Sequence, residues 1–118
     1  MCSVQGVRDL ARLEPAVELL KALAAPVRLA VVEQLAAGPR CVHELVDHLV
    51  VPQPLLSQHL RVLRGAGLVT AGRRGREVEY SLADEHVAHV VLDLLRHADE
   101  PVSASPDLPD DEPHQELT

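Results

Sequence analysis

Four residues with metal-ligand chemistry bracket one helix-forming stretch near the end of the chain: Asp84 and His86 at its start, His97 and Glu100 at its finish. Between them Val87, Val90, Val91, Leu94 and Leu95 recur at helical spacing without Gly or Pro, which predicts a single amphipathic helix from Asp84 to Glu100. Eleven residues is close to three whole turns, so His86 and His97 share a face. They also stand about 16 Å apart along the axis, whereas zinc needs nitrogen ligands at about 2.0–2.1 Å. One helix therefore cannot close such a site. Two copies packed antiparallel can, because the start of one helix then lies beside the end of the other. That arrangement predicts two equivalent sites about a two-fold axis, each with Asp84 and His86 from one chain and His97 and Glu100 from its partner. Two other readings stay open at this point. His89 and Asp93 form a rival i, i+4 pair, and histidines and carboxylates on an amphipathic helix are ordinarily solvated, with Asp a common N-cap.

The composition bounds what can position these residues. A chain of 118 residues is one small domain, and with no Phe or Trp and a single aromatic, Tyr80, its core must be built from Leu, Val and Ala. A small aliphatic domain with an apolar terminal helix is suited to obligate dimerisation. No apolar run approaches a membrane span and no signal peptide is evident, so a cytoplasmic protein with no membrane partner is expected. Cys2 and Cys41 are too few for a disulfide framework. The formal net charge of −7 conceals an asymmetry. From Asp99 onward there is no Lys or Arg, while Asp99, Glu100, Asp107, Asp110, Asp111, Glu112 and Glu116 are acidic. The first 98 residues are thus balanced, with eleven basic and eleven acidic side chains, and an acidic tail follows.

Taken in order, residues 1–13 read as an N-terminal arm. Glu14-Pro15 opens a first helix with Val17, Leu20 and Leu23 inward, since Pro suits the first helical position. Pro26 opens a second, which ends at Gly38-Pro39. A third runs from Cys41 to about Leu49. Val50-Val51-Pro52 turns the chain into a fourth, with Pro52 and Pro54 in its first turn, ending near Gly65–Gly67. Leu68–Thr70 and Glu77–Leu82 are β-compatible, the second alternating with a period of two. They flank Ala71–Arg76, read as the basic, glycine-rich tip of a hairpin. Residues 14–100 then form one domain, mainly α with a small β-hairpin, in the order ααααββα. Helices three and four form a helix-turn-helix and the hairpin is its wing. Residues 101–118, with four prolines and many acids, read as a disordered tail.

The fourth helix offers Gln53, Ser57, Gln58, His59, Arg61 and Arg64, and the wing tip adds Arg73, Arg74 and Arg76. Gln and Arg pair with base edges in a major groove and Ser with bases or phosphates, so double-stranded DNA is the expected partner. Exposed helices and Arg-Gly turns also carry such residues for solubility alone. A helix-turn-helix followed by a basic wing favours DNA.

The segment LLKALAAPVRLAVVEQLAAGPRCVHELVDHLVVPQPLLSQHLRVLRGAGLV, followed by GREVEYSL, resembles the ArsR/SmtB family of winged-helix repressors over about residues 15–100. LSQHLRVLRGAGLV is the most specific part. The resemblance implies a homodimer built through the first and last helices, which binds a palindromic operator and is released by an inducer, usually a metal ion. The zinc-sensing branch of that family carries Asp-x-His, then His-x-x-Glu, on its last helix. Asp84-x-His86 and His97-x-x-Glu100 match that order and spacing, which points to zinc, with cobalt or nickel less selectively. Sensors of arsenic, cadmium or lead carry paired cysteines on the third helix, where this chain has Cys41-Val42-His43-Glu44. Cys41 with Cys2, helped by His43 or Glu44, offers a possible second metal site; the alternative is a semi-buried small hydrophobe. No nucleophile–base pair accompanies these residues, so neither an enzyme nor a small-molecule substrate is expected. A sensor of another metal or of a thiol oxidant, and a ligand-independent DNA-binding protein, remain the competing functions.

Overall fold

The computed structural model describes residues 9–100. Helices α1 (Glu14–Leu23) and α2 (Pro26–Ala36) lead into a two-residue strand β1 (Arg40–Cys41), then α3 (Val42–Leu49) and α4 (Gln53–Gly65). The wing strands β2 (Val69–Arg74) and β3 (Glu77–Leu82) follow, and α5 (Glu85–Asp99) closes the domain. Prolines open α1, α2 and α4 within their first turns, where a missing N–H costs little. Among the described residues no helix is long and apolar enough to cross a membrane.

Helix α2 is the hub. It packs against α1, α3, α4, α5 and β3, so its apolar residues point all round rather than along one stripe. Val31 and Val32 from it are fully buried with Leu45 of α3, Leu56, Leu60 and Leu63 of α4, Val69 of β2 and Val91 of α5. The core is wholly aliphatic, as the composition required.

Three features of the backbone differ from the sequence reading. The hairpin is the larger part of a three-stranded antiparallel sheet in the order β1-β3-β2, with Arg40 opposite Tyr80 and Cys41 opposite Glu79. A two-residue strand exists only through its partner and has no local signal. The wing loop is also shorter than the predicted Ala71–Arg76 tip. The β2–β3 ladder continues to Arg74 opposite Glu77, leaving a two-residue turn, Gly75–Arg76. Gly75 takes φ +67, where a glycine has no steric penalty. Backbone pairing needs no apolar side chains, so the polar run concealed the strand. Finally, residues 9–12 of the expected arm are helical. The rest of that arm and the acidic tail lie outside the described residues.

Candidate metal centre and nucleic-acid interface

Asp84 is the N-cap of α5. Its Oδ1 accepts from the backbone N–H groups of His86 at 2.9 Å and Val87 at 3.2 Å, which satisfies two of the orphan donors at the start of the helix. Both bonds and the His86 contact fall on Oδ1. The His86 side chain is 91% exposed, with Nδ1 3.5 Å from the same Oδ1. One turn of cap geometry thus sets two of the four expected ligands side by side.

The other two stand at the far end. His97 and Glu100 are exposed, and among the described residues no ion pair engages either of them. No group of three or more His, Cys, Asp or Glu able to hold a metal is gathered among the described residues of a single chain. Helix geometry requires this separation, and the donor set fits zinc only when two chains supply it.

What lies between the two ends shows how a second chain can fit. Successive steps of four, four and three residues put His86, Val90, Leu94 and His97 on one stripe of α5. Val90 is 54% exposed and Leu94 49% exposed. Val87, Val91 and Leu95 face the domain's own core instead. Helix α5 therefore has two apolar faces, and the outward one is bracketed by the histidines. Helix α1 and its N-cap add exposed Leu13, Val17 and Leu20 at i, i+4, i+7. Val17 and Leu20, expected to point inward, thus lie on the surface while Leu23 is buried: the apolar stripe of this helix exceeds what one domain covers. Ala16, Leu19, Leu20 and Leu23 of α1 form an apolar groove with Val87 and Val90 of α5, with Asp84 and His86 at its edge.

The residues of the possible second site have other partners. Cys2 is outside the described residues. Cys41 is only 2% exposed. Its thiol is pushed up to about 11, first by its hydrogen bond to Glu77, then by burial and the negative charges of Glu77 and Glu44. A protonated buried thiol is a poor metal ligand. Glu44 accepts from the Cys41 backbone N–H at 2.8 Å, completing a capping box on α3. That bond holds its carboxyl below the usual range, helped by the charges of His43, Arg40 and Arg74, against a smaller opposing effect of burial. His43 Nδ1 lies 3.5 Å from Glu77 Oε2.

On α4, Leu56, Leu60 and Leu63 face inward, and Gln53, Gln58, Arg61 and Arg64 are exposed while Ser57 and His59 are half-buried. On the wing, Arg73 and Arg76 are exposed. Arg74 is exposed too, but it donates to Glu79 at 2.8 Å across the ladder, which raises its pKa and compensates its charge within the wing. Sequence reasoning also missed Arg28 of α2. Its Nε donates to His59 Nδ1 at 3.2 Å, and its Nη1 donates to the Ala22 carbonyl at 3.0 Å and the Lys21 carbonyl at 3.5 Å. No local pattern marks a partnership between residues so far apart in the chain.

A family model described as bacterial regulatory protein, arsR family, matches residues 25–71, which hold the helix-turn-helix. The chain is 65% identical over 88 residues to the HTH-type transcriptional repressor SmtB of Mycobacterium tuberculosis, covering 75% of this chain and 65% of that protein. The chain thus spans just under two thirds of that relative's length. It is 42% identical over 80 residues to the HTH-type transcriptional regulator NmtR of the same organism, covering 68% of this chain and 67% of that one. The homodimeric winged helix-turn-helix DNA-binding domain of Mb0332 from Mycobacterium bovis, described as a possible ArsR-family transcriptional regulator, superposes with a TM-score of 0.70 at 33% identity. That match covers 79% of this chain and 86% of the other. With the family's reading head, the wing and the sequence identity in agreement, this chain belongs to the ArsR family of bacterial regulatory proteins.

Proposed function

We propose that the chain is a metal-responsive transcriptional repressor. It binds operator DNA as a metal-free homodimer and is released when zinc is bound at two intersubunit sites on α5. The observation that carries this reading is the stripe His86–Val90–Leu94–His97, an exposed apolar centre with ligands at both ends. Antiparallel pairing of two such stripes about a two-fold axis buries the valines and leucines. It also sets Asp84 and His86 of each chain beside His97 and Glu100 of the other. The homodimeric relative and the SmtB repressor support the assembly and the role.

Zinc, held by Asp84 and His86 with His97 and Glu100 of the partner subunit, would supply a redox-inert Lewis-acid centre that accepts imidazole and carboxylate together; cobalt and nickel suit the same donors less selectively. The residues supply the rest. Asp84 stays fixed by its cap, and since a metal binds only unprotonated imidazoles and carboxylates, protons compete with the inducer for His86, His97 and Glu100. Closing both sites ties the start of each α5 to the end of the other. That favours a dimer geometry in which the two α4 helices no longer meet successive major grooves. The coupling is reciprocal, so operator DNA weakens metal binding by the same factor. Gln53, Ser57, Gln58, Arg61 and Arg64 read the groove, with Arg73 and Arg76 of the wing on the neighbouring backbone.

The test is fluorescence anisotropy of the chain's own promoter fragment at fixed salt, with and without zinc. Zinc releases the wild type and leaves His97→Ala bound. Release of both proteins, or of neither, removes the α5 site from the mechanism.

A further inference from the structure

Most side-chain hydrogen bonds among the described residues are local. One joins two helices through side chains alone: Arg28 of α2 to His59 of α4, across 31 positions of sequence. Its direction has a chemical consequence. The guanidinium only donates, so His59 Nδ1 must be the acceptor and carry no proton. A neutral imidazole has one N–H, and it is therefore on Nε2. The half-buried ring lies on the flank of α4, about a third of a turn from the outward line of Gln58 and Arg61. When a helix lies in a major groove, its outermost residues meet base edges and its flanks meet the phosphates of the groove wall.

We propose that Arg28 is a positioning residue for DNA binding: it holds His59 as the Nε2–H tautomer, so that a neutral imidazole donates a hydrogen bond to a backbone phosphate. The inference rests on the DNA-binding reading above and adds a residue to it. Arg28 also donates to the carbonyls of Lys21 and Ala22 at the end of α1. The phosphate contact is thereby braced against α1 and α2, rather than against α4 alone. His59 contributes through a fixed donor and not through positive charge.

That distinction sets the experiment. Gln at position 59 has a carbonyl to accept from Arg28 and an amide to donate onward, whereas Lys supplies charge but no acceptor and confronts Arg28 with a second cation. In metal-free protein, His59→Gln keeps operator affinity close to wild type, while His59→Ala and His59→Lys each lose about tenfold. The double variant Arg28→Ala/His59→Ala is no weaker than His59→Ala. Long-range ¹⁵N–¹H spectra of the free protein place the pyridine-type nitrogen of His59 at Nδ1. The proposal is overturned by a proton on Nδ1, by a His59→Lys protein that binds as tightly as wild type, or by His59→Gln falling to the level of His59→Ala. A wild-type chain that binds no promoter DNA refutes the regulator reading and the phosphate contact with it. The ¹⁵N spectrum, recorded without DNA, decides separately whether Arg28 holds the ring.

Discussion

At the scale of single residues, the same side-chain types divide sharply by what surrounds them. Cys41 is a candidate thiolate ligand by residue type, yet its environment favours the neutral thiol, from an ordinary 9.0 to about 11. Fold and thiolate oppose one another here. The unfolded chain ionises first, so Cys41 costs stability as pH rises from about 9 to about 11, and thermal melts of Cys41→Ala should lack that part of the alkaline decline. Alkylation offers the kinetic check, followed at the Cys41 peptide in a Cys2→Ser chain: Cys41 resists iodoacetamide at neutral pH in the folded protein and reacts readily in urea. Glu44 runs in the opposite direction. Its carboxyl is depressed by the Cys41 N–H, so its contribution is present above the ordinary carboxylate range and is lost as pH falls through the folded value. Glu44→Gln should therefore flatten the acid side of the melting profile. Arg61, exposed on the outward line of α4, carries the corresponding prediction for DNA. If it contacts a base, Arg61→Ala weakens operator binding by roughly 1–3 kcal/mol in anisotropy titrations at constant salt.

At the scale of elements, the turn of the helix-turn-helix holds the one non-glycine residue with positive φ among those described. Val50 caps α3 in the left-handed region at φ 54, ψ 50, with its side chain 86% exposed. A β-branched residue is strained there, and an exposed side chain returns little packing to offset it. Val50→Asn, which tolerates this conformation, should stabilise the fold by roughly 0.5–1 kcal/mol in urea unfolding. The helices themselves were legible because proline, glycine and apolar spacing act locally: Pro26 opens α2 and Gly38-Pro39 follows it closely. Asp84 was legible for the same reason, as a cap read from its own neighbours. What escaped was whatever depends on a distant partner. Strand β1 is defined by β3, the extension of β2 by the facing ladder, and the role of His59 by Arg28. The burial of Cys41 was legible as the small-hydrophobe alternative, whereas its partnership with Glu77, 36 residues away, was not.

At the scale of the whole molecule, the proposed metal site makes a prediction that a site within one chain cannot make. Each site takes Asp84 and His86 from one protomer and His97 and Glu100 from the other. His86→Ala alone damages both sites of a homodimer, and so does His97→Ala. In a heterodimer of the two variants the losses fall together. One site lacks both histidines, and the second combines the intact start of the His97→Ala chain with the intact end of the His86→Ala chain. Mixing two unresponsive proteins under conditions that exchange subunits should therefore restore one zinc site per heterodimer. Cobalt makes the result visible, because a tetrahedral site with nitrogen and oxygen donors gives a ligand-field spectrum that neither parent shows. Subunits that exchange without restoring any site would mean that the ligands do not cross the interface. The exposed Val90 and Leu94 offer an independent test of the proposed assembly. Val90→Asp/Leu94→Asp places charge at the centre of the pairing stripe, where burying an unpaired charge costs several kcal/mol. It should yield monomers by sedimentation that bind neither the operator nor zinc tightly, while the aliphatic core around α2 keeps the helical circular-dichroism signal.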